Sequence, residues 1–143
     1  MLYPALLQAV VTTKVDGFLA TILIVDDEAP IRSAVRRLLQ RNGHDIVEAC
    51  DGVEALELLA VRSVEMAIVD LMMPRMNGIE LIDRMKSKYP ETGIVVISAY
   101  SDIRDLSTSQ SNVVTILKKP FELQNLAEAV NLALGQRRSA ATS

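Results

Sequence analysis

Short aliphatic runs that end in polar residues constrain this chain more than any other feature. They read "TILIVDD" from Thr21, "VEMAIVDLMMP" from Val64, "TGIVVISAY" from Thr92 and "VVTILKKP" from Val113. Each is too short for a core helix, and its apolar residues are continuous rather than alternating, as in strands buried on both faces. "HDIVEAC", from His44, reads as a further short strand near an edge. Stretches of helical period lie between the runs. "APIRSAVRRLLQRNG" sets Ile31, Val35, Leu38 and Leu39 on one face, with Gly43 as a stop. "DGVEALELLAVR" is a short amphipathic helix, and "GIELIDRMKSKYP" groups Ile79, Ile82 and Met85 before Pro90. "ELQNLAEAVNLAL" closes the series, with Gly135 after it as the expected stop. Strands alternating with helices predict an α/β fold, a parallel sheet covered on both faces. The segment between the last two strands, "SDIRDLSTSQSN", is rich in side chains that compete for backbone hydrogen bonds, so a helix there is expected to be short, frayed or absent.

Composition narrows the class. A length of 143 residues suits a single core, and 3% aromatics with no Trp makes that core aliphatic. A net charge of −3 provides no field for nucleic acid, so direct DNA or RNA binding is not expected. A lone cysteine, Cys50, excludes an internal disulfide, and with only His44 there is no Cys/His metal cluster. No apolar run approaches the ~20 residues of a membrane span. The first stretch, "MLYPALLQAVVTTKVDGFLA", lacks a basic start and is interrupted by Pro4, so it reads as an extension, residues 1–20, rather than a secretory signal. A reducing, cytoplasmic location is expected.

The chemistry collects at the strand ends. In a doubly wound parallel sheet, ligands bind outside the carboxyl ends of the strands. Asp26, Asp27 and Glu28 finish the first strand, Asp70 the third, Ser98 the fourth and Lys119 the fifth. Adjacent carboxylates repel and lose solvation at a buried rim, so the cluster calls for a positive partner. A hard divalent cation such as Mg²⁺, which takes few protein oxygens and keeps several waters, supplies it. A carboxylate beside such an ion can attack phosphorus and form an aspartyl phosphate. Charge on the transferring group would then be met by the cation, by the Lys119 ammonium and by the Ser98 hydroxyl with nearby amides.

The motifs "VDDE", "VDLMMPRMNG", "ISAY" and "LKKPF", in that order and spacing, resemble the receiver domain of two-component response regulators from Thr21 to about Leu134. The resemblance implies a flavodoxin-like three-layer sandwich around a five-stranded sheet of order 2-1-3-4-5. It implies that Asp70 accepts a phosphoryl group from a sensor histidine kinase or histidine phosphotransfer protein, in a phosphorelay whose target is a downstream protein or output domain. It implies a Mg²⁺ site of Asp26, Asp27, Asp70 and the backbone carbonyl of Met72, with Asp26 acting through water. Ser98 and Lys119 carry over as the phosphate-sensing hydroxyl and the lysine, and Glu28 matches a variable position not counted as a ligand. The face beyond Ser98 is expected to mediate partner binding or phosphorylation-dependent homodimer formation. The expected division is an extension over 1–20, a receiver over 21–135 and a polar tail or linker over 136–143, as a stand-alone regulator or part of a longer one.

Three departures bear on switching. Ile116 occupies the position three before the lysine where the family usually carries Tyr or Phe, so switching is expected to work by ordering residues 101–112. "SQSNV" replaces the family's "GA" before the fifth strand. Met72 and Tyr100 occupy two positions that tune phosphoryl lifetime, and an apolar Met cannot orient an attacking water, so slow self-dephosphorylation is expected. Rival readings fare worse. A haloacid-dehalogenase-like phosphohydrolase wants an Asp where Met72 stands, and a flavin carrier wants a glycine- and hydroxyl-rich phosphate loop where "DDEAP" stands. The domain is thus expected to be a phosphoacceptor, not an enzyme. The alternative is a degenerate receiver that binds partners without phosphorylation, kept open by Ile116.

Overall fold

The computed structural model describes residues 19–99 and 113–142. Residues 1–18, Tyr100 and the 101–112 segment invoked for switching lie outside them. Among the described residues, five strands and four helices follow one another: β1 (Thr21–Val25), α1 (Ala29–Arg41), β2 (Asp45–Ala49), α2 (Gly52–Val61), β3 (Met66–Asp70), α3 (Gly78–Lys88), β4 (Gly93–Ser98), β5 (Val113–Lys118) and α4 (Leu123–Thr142). The strands form one parallel sheet of order β2-β1-β3-β4-β5. That is the doubly wound, flavodoxin-like arrangement expected above, with β2 at an edge.

Continuous apolar runs are explained by a core on each side of the sheet. Leu23, Val25, Ala67, Val69, Ile94 and Val96 face one way, into a cluster with Ala55 and Leu59 of α2 and Leu81, Ile82 and Met85 of α3. Their neighbours Ile22, Ile24, Met66, Ile68, Val95 and Ile97 face the other way, against Val35 and Leu39 of α1 and Leu126 and Val130 of α4. A period-two strand would leave one of these cores empty.

Local chemistry sets most helix ends. Pro30 stands in the first turn of α1, where its missing N–H is no loss. After α1 the chain turns at Gly43, whose φ of 96° favours glycine. Asp51 and Asn77 cap α2 and α3, accepting from the Glu54 and Glu80 amides at 2.9 Å each. The end of α4 departs from expectation: the helix runs through Gly135 to Thr142 instead of stopping after Leu134. An interior glycine costs only about 1 kcal/mol relative to alanine, and the following "QRRSAA" contains good helix formers. Between β4 and β5 the register slips after Ile94, so Val95 pairs with Thr115.

Candidate functional site

The site sits on the carboxyl rim of β1, β3 and β5. β1 leaves the sheet at Val25, and the Asp26 amide still donates to the Ala49 carbonyl of β2 at 3.2 Å. This tether keeps Asp26 in line with the strand and only 2% exposed, while Asp27 and Glu28 turn out to solvent. Asp26 Oδ1 accepts from the Glu28 amide at 2.8 Å, and Arg32 Nη1 donates to the Asp26 carbonyl at 2.6 Å. Asp26 Oδ2 is buried with no hydrogen-bond partner.

Asp70, the last residue of β3, is likewise 2% exposed. Its Oδ1 accepts from the Met72 amide at 3.1 Å, and its Oδ2 accepts from Lys119 Nζ at 3.0 Å. Lys119 arrives from the far edge of the sheet. Its amide donates to the Ser98 carbonyl at 2.8 Å, and its ammonium also stands 3.6 Å from Glu28 Oε1. Ser98 is fully buried at the end of β4, and its hydroxyl donates to the Ala99 carbonyl at 3.0 Å. The loop after β3 passes tightly over the acceptor. The Gly78 amide donates to the Leu71 carbonyl at 2.9 Å, and a Cβ on Gly78 would lie 2.6 Å from both the Asp70 carbonyl and Leu71 Cα.

Electrostatics follow from burial. Asp26 is pushed up to about 6, chiefly by desolvation, with the Asp70 charge adding to it and the Glu28 amide and Lys119 opposing. Desolvation also raises Asp70, against the pull of its hydrogen bonds from Lys119 and Met72. Burial disfavours the Lys119 ammonium, yet its contact with Asp70 outweighs this and holds it above the ordinary lysine value. One ammonium is shared among several acids, so the rim keeps an excess of negative charge.

One carboxylate oxygen each from Asp26, Asp27, Glu28 and Asp70 lies within 4.8 Å of the others. All the donors are hard oxygens, and Asp26, one of the four, carries a buried Oδ2 without a hydrogen-bond partner. That donor set fits a Mg²⁺-like cation. The expected residues Asp26, Asp27, Asp70 and Lys119 therefore converge, and Met72 meets Asp70 through its amide. Ser98 joins them through its backbone link to Lys119. Glu28, set aside in the sequence, is drawn in both as a cluster member and as a neighbour of Lys119. Its own backbone explains this: it stands at the N-cap of α1 with no side-chain cap hydrogen bond, so its carboxylate is free to lean toward the rim. Arg32, ion-paired with Glu48, reaches the site through a backbone carbonyl, a contact that leaves no mark in residue spacing. Ile116 and Phe121 each pack against a core cluster, on opposite faces of the sheet.

A doubly wound parallel sheet of this strand order, with its acidic pocket and a lysine at the carboxyl rim, places the chain among flavodoxin-like α/β domains. The model of the response regulator receiver domain matches residues 22–131. The chain belongs to the response regulator receiver family of two-component systems. It is 35% identical over 106 residues to the response regulator MprA of Mycobacterium sp. (strain KMS), covering 73% of this chain and 46% of that protein. It is 34% identical over 118 residues to a cyclic di-GMP phosphodiesterase of Thermotoga maritima, covering 82% of this chain and 32% of that protein. The chain thus spans less than half the length of these relatives. Among solved structures, the receiver domain of AraT, a response regulator from Geobacillus stearothermophilus, superposes with a TM-score of 0.76 at 33% identity, covering 86% and 98% of the two chains. NtrX from Brucella abortus gives 0.79 at 29% identity, covering 87% of this chain and 28% of that one.

Proposed function

We propose that this receiver domain accepts a phosphoryl group on Asp70 from a histidine kinase or histidine phosphotransfer protein, in a Mg²⁺-dependent reaction, and thereby changes a partner-binding surface. The observation that carries the reading is a buried Asp70 carboxylate held 3.0 Å from Lys119 within an acidic cluster that includes Asp26. Asp26, Asp27, Asp70 and the Met72 carbonyl would hold the cation, which supplies charge neutralisation for the transferring group. A carboxylate oxygen of Asp70 attacks phosphorus in line as the bond to the donor's imidazole nitrogen breaks, and the imidazole leaves with the electron pair. Lys119 balances charge on the equatorial oxygens and, once Asp70 is an acyl phosphate, exchanges its carboxylate partner for a phosphoryl oxygen. Ser98 turns its hydroxyl from the Ala99 carbonyl toward the same group.

The phosphodonor has an apolar place to land. A cavity of about 420 Å³ beside Lys119 is lined by Ile31, Ala34 and Val35 of α1 and by Pro120, Phe121 and Leu123. Downstream, we assign the output to a separate protein or an attached domain, with self-association after phosphorylation as one form of the switch. We take residues 21–135 as the receiver unit, flanked by an extension and a polar tail, and place it in the cytoplasm. Among the described residues, no helix is long and apolar enough to cross a membrane. The phosphorylation-independent alternative has less support, because acceptor, lysine and acids stand together. Incubation with Mg²⁺ and a small phosphodonor, followed by intact mass, is expected to add one phosphoryl group. Loss of that gain in Asp70→Asn supports the reading; an unchanged mass in the wild-type protein overturns it.

A further inference from the structure

Between Asp70 and α3 the chain crosses the rim as a short loop, and the middle of that loop is tied to a different element. Arg75 donates through Nε at 2.8 Å and Nη2 at 2.6 Å to Asp51 Oδ2, in the turn before α2. Asp51 is almost enclosed, its side chain 8% exposed, and its other oxygen caps α2 by accepting from the Glu54 amide. Its hydrogen bond from Arg75, with that from the Glu54 amide, holds the carboxyl below its ordinary range. A close approach reinforces the tie from below. A Cβ on Gly52 would meet Met76 Cβ and Cγ at 2.9 Å, so the two turns touch with no room for a side chain between them.

This pair is poorly placed to stabilise the fold. Arg75 is 58% exposed, so solvent screens much of the pair's attraction even though Asp51 is enclosed. Arg75 also holds φ at 65°, the left-handed region in which a side chain is strained and glycine is not. That strain offsets much of what a half-exposed pair contributes to stability. What it does fix is position. Arg75 stands three residues after Met72, whose amide binds Asp70 Oδ1.

We propose that the Asp51–Arg75 pair is a latch that positions the phosphoacceptor loop, setting the Met72 backbone for cation binding at Asp70. Both residues are positioning residues and touch neither cation nor phosphoryl group. The inference rests on the proposed function for what the loop does, but not for the latch itself. The latch anchors Pro74 to Met76 to the neighbouring turn and so fixes the path of the loop back to Met72, whose amide binds Asp70 and whose side chain is exposed. Partners that outer groups supply to a metal site commonly change affinity by 10- to 100-fold, and an exposed pair belongs at the low end of that range.

Two variants separate position from stability. Arg75→Gly removes the guanidinium and relieves the φ strain; Asp51→Asn keeps the cap oxygen on α2 and removes the charge. Calorimetric titration with Mg²⁺ is expected to show about tenfold weaker binding in each, with melting temperatures at or above wild type for Arg75→Gly. The double variant is expected to be no weaker than either single one, because both break one contact. Amide exchange in metal-free protein is expected to speed up at Met76 and Gly78, whose loop hydrogen bonds reach Pro74 and Leu71. Affinity within twofold of wild type, or affinity lost only in step with melting temperature, overturns the latch. If wild-type protein takes up no Mg²⁺, the functional reading falls, and unaltered exchange at Met76 and Gly78 would then overturn the latch independently.

Discussion

Replacing Asp26 by Asn isolates the electrostatic cost of the rim. The carboxylate is 2% exposed, one oxygen lacks a partner, and its pKa is pushed from 3.8 to about 6. A shift of roughly two units, at about 1.4 kcal/mol each, makes the ionised group cost about 2–3 kcal/mol at neutral pH without metal. Asn keeps an oxygen for the Glu28 amide and presents its NH₂ where Oδ2 now has no partner. For a domain of this size, about 4 °C per kcal/mol puts the metal-free variant ~8–12 °C above wild type. The pH dependence has a definite sign. A carboxyl whose folded pKa is raised destabilises the fold fully above about 6, and the penalty fades as pH falls through 6 toward 3.8. The gap between the two proteins is therefore expected to narrow by roughly half at pH 5. Mg²⁺ acts in the opposite direction: a ligand at a hundred times its Kd adds about 2.7 kcal/mol to wild type, and the Asn variant should gain much less. Thermal melts by circular dichroism, at pH 7 and pH 5 with and without Mg²⁺, read all four corners. A metal-free variant that melts at or below wild type, or an equal Mg²⁺ increment in both proteins, refutes the electrostatic account.

Other consequences can be checked separately. Gly78→Ala forces a Cβ to 2.6 Å from the Asp70 carbonyl and Leu71 Cα, both backbone, so a loss of about 2–3 kcal/mol in urea unfolding and slower phosphorylation are expected. Met72, whose amide binds Asp70, is 63% exposed, and Met72→Asn, which can orient water, should shorten the aspartyl-phosphate lifetime followed by intact mass; an unaltered lifetime counts against slow self-dephosphorylation arising from the apolar Met72. His44 is buried, and its Nδ1 accepts from the Ala20 amide at 3.1 Å. Burial lowers its pKa despite the nearby Glu65, so its contribution is whole above 6.5 and declines as pH falls below that value. The difference in unfolding free energy between wild type and His44→Asn should accordingly decrease between pH 7.5 and 5.5.

The strands were legible because burial on two faces demands unbroken aliphatic runs, as in Ile22–Val25 and Ile94–Ile97. The site residues were legible because a parallel sheet sends its strand ends to one rim, and Asp26, Asp70, Ser98 and Lys119 end their strands with the wrong polarity for a core. What escaped detection is local geometry. Glu28 reaches the cluster because of where α1 begins, and Arg32 reaches it through a main-chain oxygen. Arg75 acquires its role from a left-handed φ that its residue type disfavours. The end of α4 was misjudged because Gly135 is a weak signal inside a strong helical context, and the register slip beside Thr115 depends on pairing rather than on composition.

The two halves of the charged pocket have different mechanical mountings. The acids hang from β1 and β3, each flanked by neighbours on both sides, whereas Lys119 rides on β5, which has β4 alone beside it. A load arriving at Asp70 through Lys119 therefore reaches a border strand with a single neighbour, rather than one of the strands braced from two sides.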